Sequence, residues 1–160
     1  MNNARIYPDV RSELFFDPTG PHGVAHSKRV MILAETIAIM CGCNKQEIQI
    51  LRKAAAYHDI GRIDNSVGEG HGFTSAQKAI YHGLLSNSRV DQDAIHLIEQ
   101  HCLPDSRKDH FLLRIFKDAD ALDRVRFGNQ ECGLDTKYLR TGHAKQLVGF
   151  AYMLLCLYVT

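Results

Sequence analysis

The 160-residue sequence lacks the features that mark several large classes of protein. Its 19 basic and 18 acidic residues leave a formal net charge of +1, so no strong overall field favours nucleic acid or an anionic membrane as a partner. Residues 1–10 contain no apolar core of the kind that a signal peptide needs. The apolar stretch at residues 147–159 is well short of the roughly 20 residues that cross a bilayer. We therefore expect neither membrane nor nucleic acid as a partner.

The five cysteines do not show the spacing of a disulfide framework. Their number is odd, and a single residue separates Cys41 from Cys43, which is a shorter spacing than that of a zinc-ribbon knuckle. Reduced, mostly packed thiols are the simpler interpretation. Because reduced thiols persist in the cytosol, the composition predicts a cytoplasmic protein.

No segment alternates convincingly between apolar and polar residues, and no repeat or Pro/Gly-rich linker divides the chain. Apolar residues instead recur at helical spacing. The predicted helices cover residues 24–41, 45–60, 74–86, 91–102, 109–126 and 142–159. Thr74 is the candidate N-cap of the third helix. We therefore predict an all-α fold, a compact single domain over residues 1–160 built as a bundle of about six to seven helices.

The last predicted helix, residues 142–159, is apolar on most of its sides. We interpret it as a buried C-terminal helix, although the same composition would suit a helix that covers the partner in a homodimer. A monomer and a homodimer therefore both stay open.

Two histidines occupy positions at which the apolar face of a helix should continue. His26 begins the inward stripe of the first helix, and His58 ends that of the second. The apolar members of these stripes are Val30, Leu33 and Ile37 in the first helix and Ile48, Leu51 and Ala55 in the second. Asp59 lies beside His58, about 100° further round the helix. These three polar side chains are therefore predicted to face the core or its edge.

The fifth helix adds aspartates to this pattern. Its inward row consists of Leu112, Phe116, Ala119 and Asp123. Asp120 lies beside this row, whereas Asp118 points away from it and is expected to be solvated.

A single inward histidine is usually a hydrogen-bonded core residue rather than a metal ligand. Three helices that each direct His or Asp inward indicate a shared metal site instead, because burying several unpaired polar groups costs several kcal/mol. One or two shared divalent ions would remove that cost. Imidazole and carboxylate together favour Mn, Fe, Co, Ni or Zn, and Mg stays open.

The order His26, His58-Asp59 and Asp120, together with its local contexts, resembles the HD-domain metal-dependent phosphohydrolase superfamily. The contexts read HGVAHSKRV around the first histidine, AAAYHDIGR around the doublet and DADALDR around the last aspartate. The resemblance covers residues 21–126 and implies a helical bundle of the HD-domain type. It also implies that His26, His58, Asp59 and Asp120 bind a metal ion.

Some branches of this superfamily bind a second metal ion through two further histidines, and the positions of His71 and His101 resemble theirs. The alternative is a pair that contacts substrate, or a simple surface histidine in the case of His71. The chain continues after His101 as Cys-Leu-Pro-Asp. The Gly-Tyr-Pro motif of the branch that cleaves cyclic di-GMP is therefore absent, and we do not expect that substrate.

Several residues near the metal ligands are candidates to contact the substrate. They are Arg62, Arg29, Lys117 and Arg124 for a phosphate group, and His22 as a further contact or proton donor. Each of them, taken singly, is also typical of a solvated surface or loop. The segment at residues 134–140 follows the aspartate helix and is a candidate to close over the pocket.

The resemblance implies a metal-dependent phosphohydrolase that cleaves the phosphate ester of a nucleotide or small phosphorylated metabolite by a metal-bound hydroxide. Asp59 would be the catalytic residue and would bridge two metal ions. Two alternatives stay open. One is a di-iron oxygenase on the same ligands, and the other is a non-catalytic module that binds a nucleotide and regulates another protein.

Overall fold

The regular structure in the described residues is helical throughout, as the computed structural model of the protein shows for residues 7–66, 68 and 70–158. Seven α-helices and three short 3-10 helices occur there, and this part of the chain contains no strand. The α-helices are α1 (Val24–Met40), α2 (Lys45–Tyr57), α3 (His71–Tyr81), α4 (Arg89–Gln100), α5 (Phe111–Leu122), α6 (Gly142–Gln146) and α7 (Val148–Leu157). The all-α prediction is confirmed.

Capping side chains fix the start of several helices. Asn44 caps α2 by accepting hydrogen bonds from the backbone N–H groups of Gln46 and Glu47, and the Glu47 carboxylate accepts from the Asn44 N–H in return. Ser88 caps α4 by accepting from the N–H of Asp91. These caps satisfy N–H groups that a helix leaves without an internal partner.

The predicted N-cap Thr74 is wrong. Helix α3 begins at His71, three residues earlier, with Gly70 as its N-cap. The Thr74 hydroxyl donates to the carbonyl oxygen of Gly70, four residues back, which is the geometry of a residue already inside a helix. His71 therefore belongs to the helix and not to the preceding loop.

Other helices end earlier than predicted. Helix α2 ends at Tyr57, and residues 58–61 continue as a turn. Helix α5 ends at Leu122, and Asp123–Phe127 forms a 3-10 helix. The predicted C-terminal helix is divided at Leu147, whose φ of −98° and ψ of 7° are not helical.

Helix α1 lies at the centre of the bundle. It packs against α2 and α5, while α2 and α3 also pack against α4. The core between these helices contains large side chains with under 2% exposure, among them Leu33, Ile37, Leu51, Ile98 and Phe116. This packing brings together the beginnings of α1 and α3 with the ends of α2, α4 and α5, as the contacts of their polar side chains show.

Asp118 is buried, so the expectation that it is solvated is wrong. Its carboxylate accepts hydrogen bonds from the backbone N–H groups of Arg140 and Thr141, from the Thr141 hydroxyl and from the Arg140 guanidinium. Asp118 and Asp120 point to opposite sides of α5, because residues two apart differ by about 200°. Arg140, at the end of the segment at residues 134–140, is thus held on the far side of α5 from Asp120, a position that does not favour closure over the predicted site.

Helix α7 is only partly buried, which corrects its interpretation as a buried helix. Ala151 and Leu154 face the interior, whereas Tyr152, Met153 and Leu157 are at least half exposed. The helix packs against the 3-10 helix after α5, and also against α1 and α6. Val159, the predicted last residue, lies outside the described residues.

Within the described residues, no helix combines the length and the apolar character that crossing a membrane requires.

Candidate metal centre

The polar residues singled out on separate helices meet in one cluster. His26 lies on the first turn of α1, His58 and Asp59 directly follow α2, and His71 opens α3. The other two members are His101, directly after α4, and Asp120, near the end of α5. Of these side chains, Asp120 is the most open to solvent, at 34% exposure, while those of His26 and His58 are fully buried.

Backbone carbonyl groups fix the protonation of three of these histidines. In each, Nδ1 lies against the carbonyl oxygen of the residue three positions earlier: His58 on Ala55 at 2.9 Å, His71 on Gly68 at 2.6 Å and His101 on Ile98 at 2.6 Å. A carbonyl oxygen only accepts, so Nδ1 carries the proton. In the neutral ring, Nε2 is then left with a lone pair that can bind a metal ion.

His26 is oriented in a similar way by a carboxylate. Its Nδ1 lies 2.7 Å from Oδ2 of Asp123. The same carboxylate accepts two hydrogen bonds from Arg29 and one from Arg126, so it is held on three sides. A carboxylate behind a histidine is the usual device that fixes the ring orientation of a metal ligand.

The Nε2 atoms of the histidines face one another in pairs. His26 Nε2 lies 3.1 Å from His58 Nε2, and His71 Nε2 lies 3.0 Å from His101 Nε2. Two imidazole lone pairs at this distance repel unless a positive charge lies between them. A proton or a metal ion can supply that charge, and the donor chemistry of both pairs therefore fits a divalent transition metal.

Carboxylate oxygens complete the two histidine pairs. The first ligand set comprises His26, His58, Asp59 and Asp120: His26 Nε2 lies 3.4 Å from Asp59 Oδ2 and 3.3 Å from Asp120 Oδ1. The second ligand set comprises His71, His101 and Asp59, whose Oδ1 lies 3.3 Å from His71 Nε2 and 4.0 Å from His101 Nε2. Asp59 thus directs one oxygen toward each set.

Buried charge polarises the cluster. Burial and the Arg126 guanidinium both lower the pKa of His26, yet its contacts with Asp120, Asp123 and Asp59 outweigh them and raise that pKa to about 10. Burial raises the pKa of Asp59, but the neighbouring His58, with hydrogen bonds from other histidines, holds it well below its usual value. The first ligand set therefore attracts positive charge strongly.

The pKa values of the two histidines in the second ligand set are lowered, whereas that of His26 is raised. Burial, assisted by His101, lowers the pKa of His71 to about 4. Burial, assisted by His58, lowers the pKa of His101 to about 4 as well. Both rings are neutral near pH 7, and neutral imidazole is the form that coordinates metal ions.

Two of the predicted substrate-binding residues lie at the cluster. Arg62 donates from Nε to Asp59 Oδ1 at 2.7 Å, and one of its terminal nitrogens lies 3.2 Å from His71 Nε2. His22 Nδ1 lies 3.0 Å from Asp59 Oδ2. Both side chains are partly exposed, at 12% and 18%, so they line the side of the cluster that solvent reaches.

The other three predicted substrate contacts lie elsewhere. Arg29 is buried behind His26 and binds Asp123. The Lys117 ammonium is buried in the loop between α4 and α5, where the Leu103 carbonyl and two carboxylates hold it, so it does not reach the cluster. Arg124 is exposed on the 3-10 helix after α5 and has no contact with the ligand sets among the described interactions.

Sequence reasoning missed Arg126 and Cys102. Arg126 lies on the 3-10 helix after α5, where helical periodicity no longer predicts direction, and its charge acts on Asp123, Asp120 and Asp59. Cys102 groups with His71 and His101, with donor atoms within 4.8 Å of one another. Its position next to His101 was the available signal.

A glycine brings the second histidine pair together. A Cβ atom on Gly72 would lie 2.5 Å from the carbonyl oxygen of Ile98, closer than real Cβ contacts allow. The first turn of α3 therefore lies directly on the last turn of α4. This contact brings His71 to His101.

Comparison with known proteins agrees with this architecture. The HD domain family matches residues 23–125, which is well over half of the chain. The crystal structure of a predicted HD superfamily hydrolase from an uncultured Thermotogales bacterium is similar to this one, with a TM-score of 0.59 and 25% sequence identity. The similarity covers 92% of this chain and 83% of that one. No curated protein matches the sequence. The family match, the helical fold and the His/Asp cluster together show that the chain belongs to the HD domain family.

Proposed function

We propose that the protein is a metal-dependent phosphohydrolase that acts on a nucleotide or another small phosphorylated metabolite. The observation that supports this proposal best is the pairing of inward Nε2 atoms, 3.1 Å apart in one pair and 3.0 Å in the other, with Asp59 between the pairs. This donor set fits two transition-metal ions. The description of the similar Thermotogales protein as a hydrolase is consistent with the proposal.

The charge of the site favours an anionic substrate. Three carboxylates and three guanidiniums lie in or directly behind the cluster: Asp59, Asp120 and Asp123, and Arg29, Arg62 and Arg126. These charges balance one another when His26 is neutral, the form in which an imidazole binds a metal ion. Each divalent ion then adds positive charge that the protein does not compensate, and a phosphate group supplies the missing negative charge.

A divalent ion supplies a water of lowered pKa and polarises a phosphoryl oxygen. The protein's own side chains position the reactants. His22 and Arg62 approach Asp59 from the side of the cluster that solvent reaches. Arg62 is placed to donate to a phosphate oxygen, and His22 is placed to hold a proton for the leaving group. Desolvation raises the pKa of both the Asp59 carboxyl and the partly exposed Asp120 carboxyl, but the neighbouring histidines lower both pKa values, so the two groups remain anionic.

The proposal is tested by Asp59→Ala in the full chain. Because Asp59 takes part in both ligand sets, the variant should lose bound transition metal and lose at least about 100-fold in phosphatase or phosphodiesterase activity. Metal per chain is measured by elemental analysis, and activity against a panel of nucleotides and sugar phosphates. Asp93→Ala is the matched control, because the Asp93 side chain is 39% exposed on α4 and its described ion pair is with Arg89, one turn away, and not with the cluster. Full activity in Asp59→Ala would reject the mechanism.

The shared carboxylate also supports a second candidate, a di-iron oxygenase. Two histidine pairs joined by one carboxylate suit two iron ions that activate oxygen as well as they suit hydrolysis. Oxygen consumption by the iron-loaded protein with a polyol or organophosphonate, without release of phosphate from esters, would favour this candidate.

A further inference from the structure

The guanidinium of Arg62 lies within the second ligand set. Its Nε donates to Asp59 Oδ1 at 2.7 Å, and a terminal nitrogen lies 3.2 Å from His71 Nε2. Its other terminal nitrogen donates to the carbonyl oxygen of Ser66 at 2.9 Å. The protein thus places a cation of its own against two of the three side chains that would hold a second metal ion.

The contacts of Arg62 with Asp59 and with His71 differ in whether a lone pair remains for a metal ion. Asp59 Oδ1 has more than one lone pair, so it can accept a hydrogen bond and coordinate an ion at once. His71 has a single lone pair on Nε2, because its Nδ1 donates to the carbonyl oxygen of Gly68 at 2.6 Å. A hydrogen bond from Arg62 and coordination of a metal ion therefore exclude each other at His71 Nε2.

From this exclusion we propose that Arg62 competes with the second metal ion and sets how many ions the centre holds. This inference rests on the metal centre proposed above. Arg62 does not compete for the first ligand set, since its described hydrogen bonds reach Asp59 through Oδ1 alone and otherwise go to His71 and Ser66. The second ion binds only when the guanidinium leaves His71, so its affinity is lower.

The competition has a consequence for the substrate. When the second ion binds, Arg62 stays attached to Asp59 through Nε, while the terminal nitrogen that bonded His71 loses its acceptor. That nitrogen would then be available to donate to an anionic group of the substrate. Binding of the second ion would thus also free the Arg62 nitrogen to donate a hydrogen bond to a phosphate group.

The test is titration of the metal-free full chain with Mn²⁺ by isothermal titration calorimetry, with metal per chain measured by elemental analysis after dialysis. The wild-type protein should bind two ions in unequal steps. Arg62→Met removes the charge and the donors at similar volume, and it should strengthen the second step about 10- to 100-fold, as loss of one charge-assisted hydrogen bond predicts. Arg62→Gln, which keeps a neutral donor, should give a smaller gain in affinity. Arg124→Met is the control and should match the wild type, because Arg124 is exposed.

The affinity of the first Mn²⁺ step distinguishes failure of the proposed metal centre from failure of the proposed competition by Arg62. A wild-type protein without any Mn²⁺ binding would remove both the metal centre and this inference. Normal first-step affinity in both Arg62 variants shows that they are folded, and an unchanged or weaker second step in them would overturn the competition alone. If only Arg62→Gln folds, the same criterion applies to that variant.

Discussion

At the residue scale, the proposed chemistry depends on the orientation of the His26 imidazole ring. As a metal ligand, His26 would coordinate through Nε2 only while Nδ1 holds its proton, and the Asp123 carboxylate accepts the hydrogen bond from Nδ1 at 2.7 Å. Asp123 is itself fixed by Arg29 and Arg126. Asp123 therefore fixes the direction of the His26 ring, and we expect it to act as a positioning residue for the proposed metal centre.

Asp123→Asn tests this positioning role. The amide keeps the volume but weakens the hydrogen bond to His26 and removes the negative charge between two arginines. We expect the affinity of the first ligand set for Mn²⁺ to fall about 10- to 100-fold. Titration calorimetry measures this affinity, with Asp93→Asn as the control for loss of a partly exposed carboxylate away from the cluster. Unchanged affinity for the first ion would contradict the role of Asp123.

The sequence predicted part of the site at this scale and missed part of it for definable reasons. His26 and His58 occupy the two ends of apolar stripes, and each of these positions is visible from the sequence of a single helix. The burial of Asp118 was not visible, because its partners Arg140 and Thr141 follow more than 20 residues later and no helical pattern connects them. Arg126 was missed because a 3-10 helix replaces the α-helix after Leu122.

At the scale of elements, helix ends matter more than helix middles. The periodicity of apolar residues predicted every long helix, since burial of one face imposes that period. It did not predict the ends, which depend on local hydrogen bonds such as that from Thr74 to Gly70. His58, His71 and His101 all lie at such helix ends. The sequence therefore indicated which residues are candidate ligands, but it did not indicate how their side chains are arranged.

Gly72→Ala tests the contact between the first turn of α3 and the end of α4. The added Cβ would lie 2.5 Å from the Ile98 carbonyl oxygen, so the two helices must separate. We expect the free energy of unfolding to fall by about 1–3 kcal/mol and the second Mn²⁺ step to weaken, while the first step persists.

The control for this substitution is Gly149→Ala in α7, because a Cβ there meets nothing within 4 Å. It should leave metal binding unchanged and stability equal or slightly higher, since alanine restricts the unfolded chain and favours a helix. Equal behaviour of the two alanine variants in urea denaturation and metal titration would show that the α3–α4 contact does not position His71.

At the scale of the whole molecule, α5 separates two functions. One face presents Asp120 to the ligand cluster, and the opposite face binds the segment around Arg140 through Asp118. Arg140 also pairs with Asp105 in the loop between α4 and α5. The segment around Arg140 is thus attached to the bundle on the face of α5 opposite Asp120.

Asp118→Ala should therefore reduce stability without removing metal ions. The substitution leaves the N–H groups of Arg140 and Thr141 without their acceptor in a buried place, and we expect the free energy of unfolding to fall by about 2–4 kcal/mol. Urea denaturation of metal-free protein measures the loss, and Asp93→Ala should change it by less than about 0.5 kcal/mol. Because Asp118 and Asp120 lie on opposite faces of α5, the folded variant should bind Mn²⁺ with wild-type affinity. A folded Asp118→Ala protein that no longer bound the first ion would show that the two faces of α5 are coupled.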